Sequence, residues 1–173
     1  MDLKQHIREV SDWPKLGIRF YDITTLLENA EALKYSIDKL AEPFKSQKID
    51  KVVGIDARGF LLASAVAYIL GSGVSLVRKK GKLPYKTIFR DYTLEYASNT
   101  VEMHEDTIKP GEKAILIDDL IATGGTACAA VELIEQMGGE IVGIGFLVDL
   151  PFLGGIEKLE KYKPFSLVQY YSE

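Results

Sequence analysis

The chain of 173 residues has one cysteine, Cys128. An internal disulfide and a cysteine-based metal cluster are therefore excluded, and nothing points to an oxidising compartment. Histidine is nearly as scarce: His6 and His104 stand far apart without metal-ligand spacing, so packing or surface roles are expected of both. Long apolar runs are missing too. The richest stretch, 59–71, is too short to span a bilayer, and the polar N-terminus lacks the apolar segment of a signal peptide. A cytoplasmic protein without membrane contact is expected. Nor is there an excess of positive charge, because 21 Lys and Arg stand against 25 Asp and Glu for a net charge of −4. That balance argues against a nucleic-acid partner. No G-x-x-x-x-G-K-[ST] occurs and no G-x-G-x-x-G follows an expected strand, which excludes the Walker-type and dinucleotide phosphate loops.

What is present reads as one α/β domain over residues 1–173. Leu33, Ile37, Leu40, Ala41 and Phe44 recur at helical spacing, so an amphipathic helix is expected over 30–47. Residues 51–56 are a short β-branched run and predict a buried strand; 59–70 predict a mostly buried helix, and 74–77 a second strand. Further along, 113–117 predict a strand, 126–137 a helix, 141–148 a strand, 154–161 a short helix and 165–170 an edge strand. This alternation implies βαβ units and a mainly parallel central sheet flanked by helices. Residues 79–100 fit neither period, and a long loop or hairpin projecting from the sheet is expected there.

The most informative segment runs from Ala114 to Thr126. An apolar strand is expected to end in Asp118 and Asp119, after which Thr123-Gly124-Gly125-Thr126 opens a helix. Ligands of open α/β sheets lie beyond the carboxyl ends of the strands. The loop offers backbone N–H groups, two hydroxyls and a helix N-terminus, which together form a phosphate cradle. Two carboxylates beside a phosphate would repel it unless they had other work. A vicinal sugar diol supplies such work, and a metal-bound pyrophosphate supplies another kind. Ribose 5-phosphate suits the arrangement better than a bare phosphate. From Arg78 to Arg90 there are six basic residues and no acidic one, and Arg58 stands in the earlier turn after the first expected strand. A cationic patch in an acidic chain attracts polyanions, although a solvated loop or a weak RNA contact would have the same composition. Arg58 could instead pair with Asp56 at its helix start.

The run Ile117 to Thr126 resembles the phosphoribosyl-pyrophosphate motif of the type I phosphoribosyltransferases, in the form carried by the adenine phosphoribosyltransferases. Four more segments resemble that family in the same order: 13–24, 54–60, 78–84 and 94–96. The resemblance implies a type I phosphoribosyltransferase fold with an N-terminal segment, 1–29, hooding the base and a flexible catalytic loop, 79–100. It also implies a purine-salvage transferase and homodimer that converts adenine and 5-phosphoribosyl 1-pyrophosphate (PRPP) to AMP and pyrophosphate. The reaction would be Mg²⁺-dependent, pass through an oxocarbenium-like transition state, and use a metal held mainly by substrate and water. By resemblance, Asp118 and Asp119 hold the ribose, while Ala122, Thr123, Gly124, Gly125 and Thr126 hold its phosphate. Arg58, Arg78, Lys79 and Lys82 receive the pyrophosphate. The main chain at Arg19, with Phe20 and Leu120, encloses adenine; Glu95 manages its proton, and Tyr96 closes the lid. The catalytic set is then Glu95, Asp118, Asp119 and Arg58. Ala97 departs from the family, which commonly has glycine after Leu-Glu-Tyr. An oxopurine-using transferase and a non-catalytic nucleotide sensor of the same fold are the rival readings.

Overall fold

Successive residues of a strand point to opposite faces of its sheet, and in the central strands of this chain both faces are apolar. Val52 packs on one side and Val53 on the other; Ile115 and Ile117 alternate with Leu116 in the same way. Such strands need cover on both sides. The computed structural model describes residues 1–94 and 97–172. The chain begins with two short strands, β1 (Arg8–Val10) and β2 (Phe20–Asp22), and two helices, α1 (Thr24–Glu28) and α2 (Ala30–Ala41). Then follow β3 (Lys51–Ile55), α3 (Arg58–Leu70), β4 (Gly73–Lys79), β5 (Thr87–Leu94), β6 (Ala97–His104) and β7 (Lys113–Ile121). The chain closes with α4 (Gly125–Gln136), β8 (Glu140–Asp149), a 3-10 stretch at Ile156–Tyr162 and β9 (Pro164–Gln169).

Among the described residues, seven strands form one sheet in the order β5-β6-β4-β3-β7-β8-β9. The five from β4 to β9 run parallel, and β5 and β6 are antiparallel additions. Helices α2 and α3 cover one face through Leu40, Leu62 and Val66. Helix α4 covers the other through Ala130, Leu133 and Ile134. No helix is long and apolar enough to cross a membrane among the described residues.

Three expectations need correction. Helix α2 stops at Ala41 and gives way to a 3-10 turn over Glu42–Phe44, because Pro43 has no N–H to continue the ladder. Strand β7 does not end at its aspartates; pairing with β8 carries it to Ile121, opposite Asp149. Residues 79–100 contain a hairpin that extends the sheet instead of standing off it, because Val101 and Met103 are buried in the core under α4 and the half-buried Ile88 packs against them. Ahead of α1, β1 and β2 form a small antiparallel ladder. Tyr21 of that ladder is buried and stacks on Tyr170 with ring centroids 3.9 Å apart, which anchors the N-terminal segment.

Candidate active site

The path of the chain over the sheet reverses at β3, with β4 on one side and β7 on the other. Strand ends splay apart at such a switch point. A cavity of about 270 Å³ opens there, at the carboxyl ends of β3, β4 and β7.

Strand β7 contributes Asp118 and Asp119, both buried. Burial, and then the adjacent Asp119 charge, push the Asp118 carboxyl well above the ordinary aspartate value, even though it accepts the Asp119 amide at 2.9 Å. Asp119 is instead paired with Arg58, Nε to Oδ2 at 2.6 Å. The two neighbours are thus electrostatically unlike. The start of α3 lies so close to them that a Cβ on Gly59 would overlap Asp118 Oδ1. The Asp56–Ala57 peptide just before α3 is cis.

After β7 the chain turns through Ala122 and Thr123 into α4, and both residues line the cavity together with Gly124, Gly125 and Thr126. The first intrahelical bond runs from Cys128 N to Gly124 O, which leaves the earlier amides at the helix start for a ligand. Behind this turn lies the segment after β8. A Cβ on Gly155 would collide with Ala122 O, and one on Gly124 would come within 2.7 Å of Gly155 O. Lys158 Nζ donates to Thr123 O at 2.8 Å.

The end of β4 brings Arg78 and Lys79 to the cavity wall. Arg78 Nε donates to Asp56 Oδ2 and its Nη1 to Lys82 O, both at 3.1 Å. Asp56 is therefore paired with Arg78 and not with Arg58. Phe20 meets Trp13 edge-on at 4.4 Å, and its ring lies 5.3 Å from the Arg58 guanidinium carbon. Arg19 reaches outward to Glu9 at 3.3 Å.

One cavity thus gathers Asp118, Asp119, Leu120, the 122–126 turn, Arg78 and Lys79. Arg58 joins it through Asp119, and Phe20 adjoins it through Arg58. Lys82 is exposed and outside the wall, although its carbonyl holds Arg78. Glu95 and Tyr96 lie outside the described residues. Sequence reasoning missed Tyr92 and Val101, which the hairpin adds to the wall, and Lys158 and Gly155 behind the turn. It also missed Glu102, buried beneath the loop that carries Lys82. Residues 22–169 match the phosphoribosyl transferase domain model. The chain is 54% identical over 170 residues to an adenine phosphoribosyltransferase of Brachyspira hyodysenteriae, covering 98% of this chain and 100% of that one. It superposes on the adenine phosphoribosyltransferase of Rhodothermus marinus with a TM-score of 0.93 at 48% identity, over 97% of this chain and 96% of that one. The Saccharomyces cerevisiae enzyme, crystallised with adenine and an imino-altritol bisphosphate, gives a TM-score of 0.87 at 36% identity, over 96% of each chain. With fold, site and full-length similarity in agreement, the chain belongs to the phosphoribosyltransferase family.

Proposed function

We propose that this enzyme joins adenine to the ribose of PRPP, giving AMP and pyrophosphate in purine salvage. One observation carries the reading: a single cavity combines a carboxylate pair, a glycine-rich helix start and two cations. Those chemistries match the diol, the phosphate and the pyrophosphate of one substrate. The yeast relative's complex with adenine and a bisphosphate supports the choice of base.

In the reaction the anomeric C–O bond to pyrophosphate breaks, a C–N bond to adenine forms, and the sugar passes through oxocarbenium character. Asp118 and Asp119 accept from the ribose hydroxyls and set negative charge beside the cationic sugar. The amides of 122–126 hold the phosphate, and Arg58, Arg78, Lys79 and Lys82 take up charge on the departing pyrophosphate. The N-terminal segment 1–29 hoods the base: Phe20 and Leu120 enclose adenine and the main chain at Arg19 reads its amine edge, a pairing an oxopurine would leave unmet. We assign the proton leaving adenine to Glu95 and closure against water to Tyr96.

The site fits a Mg²⁺ that arrives on the substrate. The described residues gather no cluster of three or more His, Cys, Asp or Glu for a metal, while Asp56, Asp118 and Asp119 line the cavity. Held by substrate oxygens and water, with those carboxylates as outer partners, Mg²⁺ would neutralise charge on the pyrophosphate. The lone cysteine suits the cytoplasm, and exposed apolar residues on α3 and β4 suit a homodimer.

Pyrophosphate release from PRPP and Mg²⁺, with adenine, hypoxanthine, guanine and xanthine offered separately, tests the reading. Release with adenine alone is expected. Release with an oxopurine would change the base and keep the ribose and phosphate roles. Binding of PRPP with no release from any base would make the protein a nucleotide sensor.

A further inference from the structure

We infer that Glu102 is a positioning residue for the pyrophosphate end of the site: it holds the loop between β4 and β5 so that Arg78 presents its free donors to the cavity. The inference rests on the reading that Arg78 and Lys79 meet pyrophosphate.

Glu102 lies on β6, opposite Arg78 of β4 and Phe89 of β5. Alternation turns it away from Val101 and Met103, toward the face where an acidic strand residue ordinarily meets water. It is nevertheless only 4% exposed. The 80–86 loop folds over it: Oε1 accepts from the amides of Lys82 and Leu83 at 3.0 Å each, and Oε2 from Thr87 Oγ1 at 3.3 Å. Burial pushes this carboxyl up, but the amides of Leu83, Gly81 and Lys82 outweigh burial and hold it below the ordinary glutamate value. It is therefore a buried anion at neutral pH. The same loop turns the Lys82 carbonyl onto Arg78 Nη1, while Asp56 takes Nε. A guanidinium has five N–H donors in one plane, so two acceptors in fixed directions set that plane and leave the rest for a ligand. Removing Glu102 strands the Leu83 amide and the Thr87 hydroxyl and leaves the Lys82 amide only the Lys79 carbonyl at 3.3 Å, and the Lys82 carbonyl moves with them.

Calorimetric titration of parent, Glu102→Ala, Glu102→Gln and Thr87→Val with Mg²⁺-pyrophosphate and separately with AMP tests this, alongside steady-state constants for PRPP. Glu102→Ala is expected to weaken pyrophosphate about tenfold or more and to raise KM for PRPP more than it lowers kcat. AMP affinity stays at the parent level. Glu102→Gln keeps an acceptor for the amides and loses only about threefold, and Thr87→Val moves the same way. Equal loss of AMP and pyrophosphate affinity in Glu102→Ala overturns the inference. So does parent-like pyrophosphate affinity in that variant or, should it not fold, in both milder ones. If the parent turns over adenine, that result sinks this inference alone; a parent that binds no pyrophosphate sinks the functional reading with it.

Discussion

Asp118 and Asp119 are neighbours near the end of β7, and the proposed function gives both the same ribose, but their surroundings differ. Asp119 has the Arg58 guanidinium, whereas Asp118 is buried beside a like charge and its carboxyl is pushed well up. A group raised in the folded state keeps its proton while the unfolded chain has already lost one. Between the ordinary aspartate value and the raised value, stability therefore falls as pH rises. Asp118→Asn removes that term, and its amide oxygen still accepts from the Asp119 N–H. Thermal melting across pH should show the parent losing stability through this window and the variant losing less, so that the variant melts a few degrees higher at neutral pH. Its kcat/KM should drop by about 10² or more, the scale of a lost preorganised electrostatic contact. A variant less stable than the parent at neutral pH would show that Asp118 is kept for structure. The adjacent pair was readable in the sequence because the chemistry lies in consecutive residues. Its asymmetry was not, since Arg58 opens α3, which follows a different strand.

The turn between β7 and α4 is an element whose sequence announces itself, with an apolar strand, carboxylates, glycines and a helix in one continuous run. Its support is non-local. Lys158, which bonds Thr123 O, is 35 residues away, and Gly155 lies against Ala122 and Gly124 only because β8 returns beside β7. No local pattern marks either residue. Because a Cβ on Gly155 has no room against Ala122 O, Gly155→Ala must move the turn or the segment behind it. Phosphate-end affinity should suffer: AMP binding is expected to weaken about tenfold or more, with pyrophosphate binding kept, in calorimetric titrations. Parent-like AMP binding would mean that the brace yields without disturbing the cradle. The hairpin illustrates the same divide. Gly81, Pro84 and the cations made 79–100 look like loop, although Val101 just beyond its end is buried and Ile88 within it packs half-buried on the same core.

At the scale of the whole molecule, the alternation of strands and helices was readable because periodicity is local and the parallel strands are apolar on both faces. What periodicity could not show is which surfaces one copy of the chain leaves bare. Helix α3 is apolar nearly all round, a pattern that reads as burial within one chain. Only one side of it meets the sheet, where Leu62, Ala63 and Val66 are fully buried. On the other side Tyr68 is 90% exposed and Leu61 57%, with Ile69 nearby and Val74 and Leu76 exposed on adjacent β4. An apolar surface of this kind, spread over a helix and its neighbouring strand, marks an interface in most proteins. The reading of the molecule as a homodimer assigns a second copy to that surface, in a two-fold arrangement where the same patch serves both partners. Sedimentation equilibrium should therefore give the parent twice the mass of the chain at micromolar concentration. Tyr68→Asp with Leu61→Ser, both in water in the single chain, should shift it toward the monomer without lowering the helical content of the fold. A monomeric parent would remove the dimer from the account and leave α3 with an apolar face that serves some other contact. An unaltered dimer in the double variant would place the interface elsewhere on the molecule.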